Sequence, residues 1–177
     1  MKVVIVDYGM GNIRSITGAL KYLGVGSVSV SNKSLEIKSA DKLILPGVGS
    51  FSVAMSNIKR LEIDKYLVEE VLKKKKPILG ICLGMQLMCK SSTEDSYSHG
   101  LGFIKGVVSE FSESSLKIPH IGFNQVKVNN DSRLFKGINN LSDFYFVHSF
   151  RMADNINISH STCIYNDEFI ASYEQDN

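Results

Sequence analysis

The sequence has few cysteines, little net charge and no long apolar run. Its three cysteines, an odd number, argue against a disulfide framework and for a reducing compartment. No spacing between them and the four histidines predicts a metal site, and we expect no cofactor. A formal net charge of +2 gives no electrostatic reason to expect nucleic acid binding. Without a signal peptide or an apolar stretch that could span a membrane, the chain is expected to be soluble and cytoplasmic.

Strands alternate with helices through about the first hundred residues. Short apolar runs predict strands at residues 3–6, 27–31, 42–45 and 78–81, and helical periodicity predicts helices at residues 13–23, 51–59, 63–75 and 83–88. This order is typical of an α/β fold with a mostly parallel sheet flanked by helices.

A series of short strands with polar turns follows, which indicates an added antiparallel region. We expect these strands at residues 106–111, 120–128, 144–150, 162–165 and 169–173. Neither a repeat nor a low-complexity linker separates this region from the first, so residues 1–177 are predicted to form a single domain.

Cys82 lies where a predicted strand ends and a helix begins. Gly80 and Gly84 flank it, and glycines allow the close backbone approach and unusual dihedral angles of a strand-to-helix elbow. A thiol at a helix N-terminus is expected to have a lowered pKa and a reactive thiolate. The alternative is an inert buried cysteine, but the full pattern of residues 77–86 favours a nucleophile.

A second glycine-bearing loop, residues 46–51, also follows a predicted parallel strand. If Cys82 attacks a carbonyl, the resulting oxyanion needs preorganised donors. The amide of Leu83 is one candidate. The segment Gly47, Val48 and Gly49 is the other, although an isolated loop of this kind is more often an ordinary turn.

Two other groups of polar residues have ordinary structural explanations of similar weight. Asn12 and Arg14 follow the first strand and could face a ligand or a partner, yet Asn12 could equally cap a helix. His148 and His120 lie in apolar strands, where a histidine is usually a core residue with satisfied hydrogen bonds.

Several motifs together match one family in order. They are residues 6–12 (Val-Asp-Tyr-Gly-Met-Gly-Asn), 45–51 (Leu-Pro-Gly-Val-Gly-Ser-Phe), 80–86 (Gly-Ile-Cys-Leu-Gly-Met-Gln), 100–102 (Gly-Leu-Gly), 119–124 (Pro-His-Ile-Gly-Phe-Asn) and 144–149 (Phe-Tyr-Phe-Val-His-Ser). The chain resembles the glutamine amidotransferase subunits of imidazole glycerol phosphate synthase, within the class I (triad) glutaminase superfamily. The resemblance covers essentially the whole chain and implies the class I glutamine amidotransferase fold.

The resemblance implies a role for each matching residue. Cys82 would attack the side-chain amide of L-glutamine, and the resulting thioester would be hydrolysed. The ammonia would pass to a (β/α)8-barrel cyclase partner that makes imidazole glycerol phosphate in histidine biosynthesis. The other implied roles are the oxyanion hole for Gly47, Val48, Gly49 and Leu83, glutamine binding for Gln86, His148, Ser149 and Phe150, and the partner interface for Asn12 and Tyr145.

The sequence departs from the family at the catalytic base. The family takes its histidine base and acidic partner from a His-Pro-Glu motif beyond its last strands, and no His-x-Glu occurs in this sequence. Either the sequence is a C-terminally incomplete copy of an active enzyme, or the subunit binds without hydrolysing. We expect the first, because the other catalytic motifs are intact. Phe123 and Phe150 replace the more usual Trp and Tyr of the family and keep an aromatic ring.

Two further functions fit parts of the pattern. The chain could serve an amidotransferase that modifies a surface sugar, since the partner chooses the ammonia acceptor. It could also be a cysteine-elbow protein of the stress-response or deglycase type, but Gln86 and the strand that carries Tyr145 and Ser149 argue against that function.

Overall fold

The computed structural model describes residues 1–112, 116–153 and 156–175. They divide into two compact units, one over residues 1–104 and one that begins at Lys105. No helix within the described ranges is long and apolar enough to cross a membrane.

The first unit alternates strands and helices as predicted. Its elements are β1 (Lys2–Val6), α1 (Ile13–Tyr22), β2 (Ser27–Ser31), α2 (Ser34–Ser39), β3 (Lys42–Leu45), α3 (Phe51–Arg60), α4 (Ile63–Leu67), a π-helical segment (Val68–Lys73), β4 (Ile78–Gly80), α5 (Leu83–Leu87), β5 (Ser91–Ser92) and β6 (Ser98–His99). Four strands form a parallel sheet in the order β2-β1-β3-β4. The pair β5 and β6 forms a short antiparallel hairpin.

The sheet order explains which predicted strands are buried. In β1 and β3, which lie inside the sheet, most residues are buried, as expected for central strands that read as continuous apolar runs. The apolar run at residues 78–81 would suit a buried strand, but β4 is not buried, because it lies at the end of the sheet order and Leu79 is exposed. On α1, Ile16 and Leu20 pack towards the core while Leu23 is exposed.

The predicted helix at residues 63–75 is α-helical only as far as Leu67 and continues as a π-helix. Glu70, 1 % exposed, accepts hydrogen bonds at 2.7 Å from Lys74 and at 2.8 Å from Lys76. Lys76 also donates to the carbonyl oxygens of Ile37 and Lys38, both at 2.8 Å. Lys76, the last of four consecutive lysines at residues 73–76, is therefore anchored to the fold.

The second unit is antiparallel, which confirms the predicted added region. Its strands are β7 (Val107–Glu110), β8 (His120–Lys127), β9 (Ser142–His148), β10 (Phe150–Ala153), β11 (Ser159–Tyr165) and β12 (Asp167–Glu174). They lie in the order β7-β10-β12-β11-β8-β9. The single strand predicted at residues 144–150 is instead the end of β9 and the start of β10, with Ser149 between them. The prediction also missed α2, β5 and β6.

Candidate active site

Three loops leave the parallel sheet at the same edge. Ile5 of β1 pairs with Ile44 of β3, and Leu45 pairs with Gly80 of β4, so the carboxyl ends of these strands lie side by side. Open parallel sheets bind their ligands in the crevice outside these ends. The structure therefore brings together the loops at residues 7–12, 46–50 and 81–82.

Cys82 stands at a strained turn between β4 and α5. Its φ of 55° and ψ of −119° are unusual for a residue with a side chain and cost about 1–3 kcal/mol. Hydrogen bonds hold the turn on both sides, from the amide of Ile81 to Leu45 O at 3.0 Å and from the amide of Met85 to Cys82 O at 2.9 Å. The elbow thus presents an exposed cysteine on an ordered backbone.

Two glycines allow this elbow to pack against β3. A Cβ atom on Gly84 would lie 1.8 Å from Leu45 O. A Cβ on Gly47 would lie 2.7 Å from Tyr8 Oη and 2.8 Å from both the amide nitrogen of Gly84 and Leu83 Cβ. Contacts this short with backbone require glycine, so the loop at residues 46–50 and the start of α5 are in direct contact.

The electrostatic prediction for the Cys82 thiol is wrong. Although the residue is exposed, the protein around the thiol desolvates it and raises its pKa, while a hydrogen bond from the amide of Leu83 opposes the rise. The start of the five-residue helix α5 does not outweigh the desolvation. At neutral pH the group is mainly a thiol, so it needs a base to become a nucleophile. Cys89 and Cys163 are buried, which raises their pKa values to about 12 and about 11.

The loop after β3 presents unpaired backbone donors. Within the described parts of the chain, the amides of Gly47, Val48 and Gly49 form no hydrogen bond. Val48 is 53 % exposed, and Gly49 has a φ of 101° that favours glycine. Gly47 is buried and Val48 and Gly49 are exposed, so an oxyanion bound against this loop would meet donors that have no other partner.

Side chains hold both ends of this loop. At its start, Tyr8 Oη donates to Pro46 O at 2.6 Å. At its end, Ser50 caps α3 by accepting from the amide of Val53 at 3.4 Å, and its hydroxyl donates to Asp95 Oδ2 at 2.7 Å. Glu94 Oε2 accepts from the amide of Phe51 at 2.9 Å, where the helix N-terminus favours negative charge.

Gln86 lies one helical turn after Cys82. Its amide donates to Cys82 O at 3.3 Å, and residues four apart share a helix face. The side chain is half-buried. Leu83 and the loop at residues 47–49 are therefore in contact next to Cys82, and Gln86 follows one helical turn later in the first unit.

The other predicted substrate-binding residues lie in the second unit. His148 ends β9, Phe150 begins β10, and all three residues from His148 to Phe150 are half-buried. His148 Nδ1 lies 2.9 Å from Phe150 O, and His148 Nε2 lies 2.9 Å from His120 Nδ1. The Phe150 carbonyl can only accept, so His148 donates from Nδ1 and His120 donates to His148 Nε2.

An aromatic cluster surrounds this histidine pair. His120 stacks between Phe146 and Tyr165, with ring centroids at 5.0 and 3.8 Å. Burial, with a smaller contribution from His148, lowers the pKa of His120 to about 4, and burial also lowers the pKa of His148. Both rings are therefore neutral near pH 7, which agrees with the expectation that strand histidines are core residues with satisfied hydrogen bonds.

Known proteins resemble this chain over nearly its full length. The family described as glutamine amidotransferase class-I matches residues 4–177. The imidazole glycerol phosphate synthase subunit HisH 1 of Campylobacter jejuni is 44 % identical over 98 % of this chain and 87 % of its own length. The chain belongs to the class-I glutamine amidotransferase family. The HisH subunit of Aquifex aeolicus is 40 % identical over 100 % of this chain and 85 % of its own.

A solved structure supports the fold of this amidotransferase. PurLQS from Thermotoga maritima matches 99 % of this chain and 82 % of its own with a TM-score of 0.66 at 18 % identity. The family and the mixed α/β fold predicted from the motifs are confirmed, and membership makes the chain a glutaminase by family.

The two residues predicted for a partner interface are exposed. Asn12 accepts a hydrogen bond from the amide of Ser15 at 3.3 Å and so caps α1, which is the ordinary structural role considered for it. Tyr145 of β9 is 58 % exposed and contacts Phe123, which is 75 % exposed. Their interface role stays a prediction.

The sequence does not predict the contacts that Tyr8 and His120 make in this amidotransferase. Tyr8 stands inside the motif at residues 6–12, and nothing local in the sequence pairs it with Pro46. His120 was assigned to a strand, but its partner His148 follows only from the β8–β9 register. Among the described residues, no group of three or more His, Cys, Asp or Glu side chains could hold a metal ion.

Proposed function

We propose that this chain hydrolyses L-glutamine to glutamate and ammonia as the glutaminase subunit of a two-subunit synthase. One observation carries the proposal: Cys82 is exposed on a strained elbow in contact with a loop whose amides are unpaired. A nucleophile beside free donors is the arrangement that acyl transfer requires.

The reaction proceeds through a thioester in this proposal. Cys82 Sγ forms a bond to the carboxamide carbon of glutamine, and the oxyanion accepts hydrogen bonds from the amide of Leu83 and from the loop at residues 47–49. The C–N bond then breaks, ammonia leaves with the thiol proton, and water hydrolyses the thioester to glutamate. Gln86 binds the glutamine in this proposal, and glutamine binding by His148, Ser149 and Phe150 stays a prediction.

The raised pKa of Cys82 makes a general base necessary. In the family the base belongs to the His-Pro-Glu motif, which the sequence does not contain. None of its four histidines is assigned that role here. A subunit that docks without hydrolysing is the competing function, and this observation favours it.

The partner that we propose is a (β/α)8-barrel cyclase subunit, since the relatives are named as subunits of imidazole glycerol phosphate synthase. A face of the second unit offers an apolar docking surface. Ile121 pairs with Val147 and Phe123 with Tyr145, so these side chains share one face of β8 and β9 and are all more than half exposed. The ammonia acceptor is then that of histidine biosynthesis. A sugar-amidating partner is the alternative, and a cytoplasmic location is part of the proposal.

The test is glutamate release from glutamine by the purified complex with the cyclase subunit. Four chains are compared: the present sequence, the same sequence extended by a family His-Pro-Glu segment, and the Cys82→Ser and Cys89→Ser variants of the extended chain. We expect partner-dependent turnover in the extended chain, its loss by orders of magnitude in Cys82→Ser, and its retention in Cys89→Ser.

Turnover in Cys82→Ser would remove Cys82 as the nucleophile. Stable binding of the extended chain without any turnover would instead identify a docking subunit.

A further inference from the structure

Tyr8 is the one buried polar side chain that reaches the start of the loop at residues 46–50 among the described contacts. It is 1 % exposed, and its hydroxyl donates to Pro46 O at 2.6 Å. Tyr8 Oη also lies 2.7 Å from the position that a Cβ atom on Gly47 would occupy. Tyr8 therefore contacts both residues of the Pro46–Gly47 peptide.

The backbone of Tyr8 is itself held by the sheet and by a tight turn. The amide of Asp7 donates to Ser31 O at 3.1 Å, which continues the pairing of β1 with β2. The amide of Gly9 donates to Asp7 Oδ1 at 3.0 Å. Because the backbone on both sides of Tyr8 is held, its hydroxyl reaches Pro46 O from a fixed starting point.

A hydrogen bond to Pro46 O also orients the next amide. The peptide unit is planar and trans, so its C=O and N–H groups point in opposite directions. Fixing Pro46 O therefore fixes the direction of the Gly47 N–H group, which has no acceptor within the described residues. Val48 and Gly49, which are exposed, have no comparable anchor described.

From this geometry we infer that Tyr8 is a positioning residue, which holds the Gly47 amide as a preset oxyanion donor beside Cys82. The inference rests on the proposed glutaminase function. Burial, with a smaller contribution from the negative charge of a Cys82 thiolate, raises the pKa of Tyr8 far above its usual value. The hydroxyl therefore keeps its proton and remains a donor over the whole working pH range.

The variant that tests this role is Tyr8→Phe, in the extended chain bound to the cyclase subunit. Deleting an oxyanion donor outright costs about 10²–10³-fold in kcat, and a donor that is only misoriented should cost about 10- to 100-fold. We expect the loss in kcat with KM within about twofold, because the interaction strengthens only as the oxyanion forms. Replacement of Tyr8 by p-aminophenylalanine, which retains a donor, should restore most of the activity.

Thr17→Val is the control. It also removes a hydroxyl that donates to a backbone carbonyl, Ile13 O at 2.8 Å, but on α1. We expect its kcat to equal that of the parent chain. Thermal unfolding of both variants shows whether lost activity reflects lost stability.

A second readout does not depend on turnover. The Gly47 amide resonance of labelled protein should shift, and its hydrogen exchange should become faster, in Tyr8→Phe and not in Thr17→Val. An unchanged Gly47 amide, an unchanged kcat, or a loss confined to KM would each overturn the positioning role. If the parent complex releases no glutamate, the proposed function fails. The resonance position and the hydrogen exchange rate of the Gly47 amide still show whether Tyr8 holds the loop.

Discussion

At the scale of single residues, the surroundings of Cys82 and His120 decide their chemistry. The sequence correctly located Cys82 between a strand and a helix, yet the direction of its pKa shift was wrong. Desolvation depends on all the atoms packed around a group, and these come from distant parts of the chain. The same holds for His120, whose neutral state follows from stacking against Phe146 and Tyr165.

We predict that the His120–His148 pair makes the protein sensitive to mild acid. The pKa of His120 is lowered to about 4 in the folded protein, whereas an unfolded histidine titrates near 6.5. Between these values the unfolded state binds more protons, so the free energy of unfolding falls as the pH is lowered from about 6.5 to about 4. In His120→Phe this decrease should be smaller.

Urea unfolding at several pH values in this window measures the effect. The control is His99→Phe, because His99 is exposed and lies in the first unit. We expect this control to keep the pH dependence of the parent chain. An identical pH dependence in His120→Phe and the parent would contradict the prediction.

At the scale of elements, the elbow depends on how closely β3 approaches α5. The motif predicted a glycine-lined elbow, but Gly84 is required specifically because Leu45 O occupies the space of its Cβ. The helix predicted at residues 63–75 also has a detail that depends on packing. Its periodicity predicted a helix, while the switch to a π-helix after Leu67, near the buried Glu70 ion pairs, was not predictable.

We predict that Gly84→Ala destabilises the first unit and abolishes glutaminase turnover. A Cβ atom 1.8 Å from a backbone oxygen must displace α5, and overpacking of this kind costs about 1–3 kcal/mol or more. Gly18→Ala is the control, since nothing lies within 4 Å of its Cβ position in α1. It should raise the free energy of unfolding by about 0.5–1 kcal/mol and leave turnover unchanged.

Chemical denaturation and the coupled glutaminase assay measure both effects. If Gly84→Ala were as stable and as active as Gly18→Ala, the elbow would not depend on this close approach.

At the scale of the whole molecule, two compact units share one family match. The match spans residues 4–177 and so includes both the parallel and the antiparallel unit. The prediction of a single domain over residues 1–177 stays a prediction. The exposed face of β8 and β9 is the surface that we propose for docking to the cyclase subunit.

We predict that Phe123→Glu weakens binding to the cyclase subunit by about 30-fold or more. Loss of an aromatic hot spot costs about 2 kcal/mol of binding free energy, which corresponds to this factor. Phe123 is 75 % exposed and contacts Tyr145, so a charge there would be buried on docking. The control is Leu35→Glu on α2, where Leu35 is 80 % exposed.

Titration calorimetry with the cyclase subunit measures both affinities, and circular dichroism checks that both variants are folded. Equal affinities for Phe123→Glu and Leu35→Glu would place the interface elsewhere.

The sequence by itself determined the family, the alternation of strands and helices in the first unit followed by an antiparallel region, and the position of the cysteine elbow. These follow from local periodicity, from glycines beside a cysteine and from motifs in a constant order. Only the tertiary structure decided the edge position of β4, the raised pKa of Cys82, the pairing of His120 with His148 and the contact of Tyr8 with Pro46. Each of these depends on groups that are distant in the chain and that meet only through strand register and packing, which local sequence patterns do not encode.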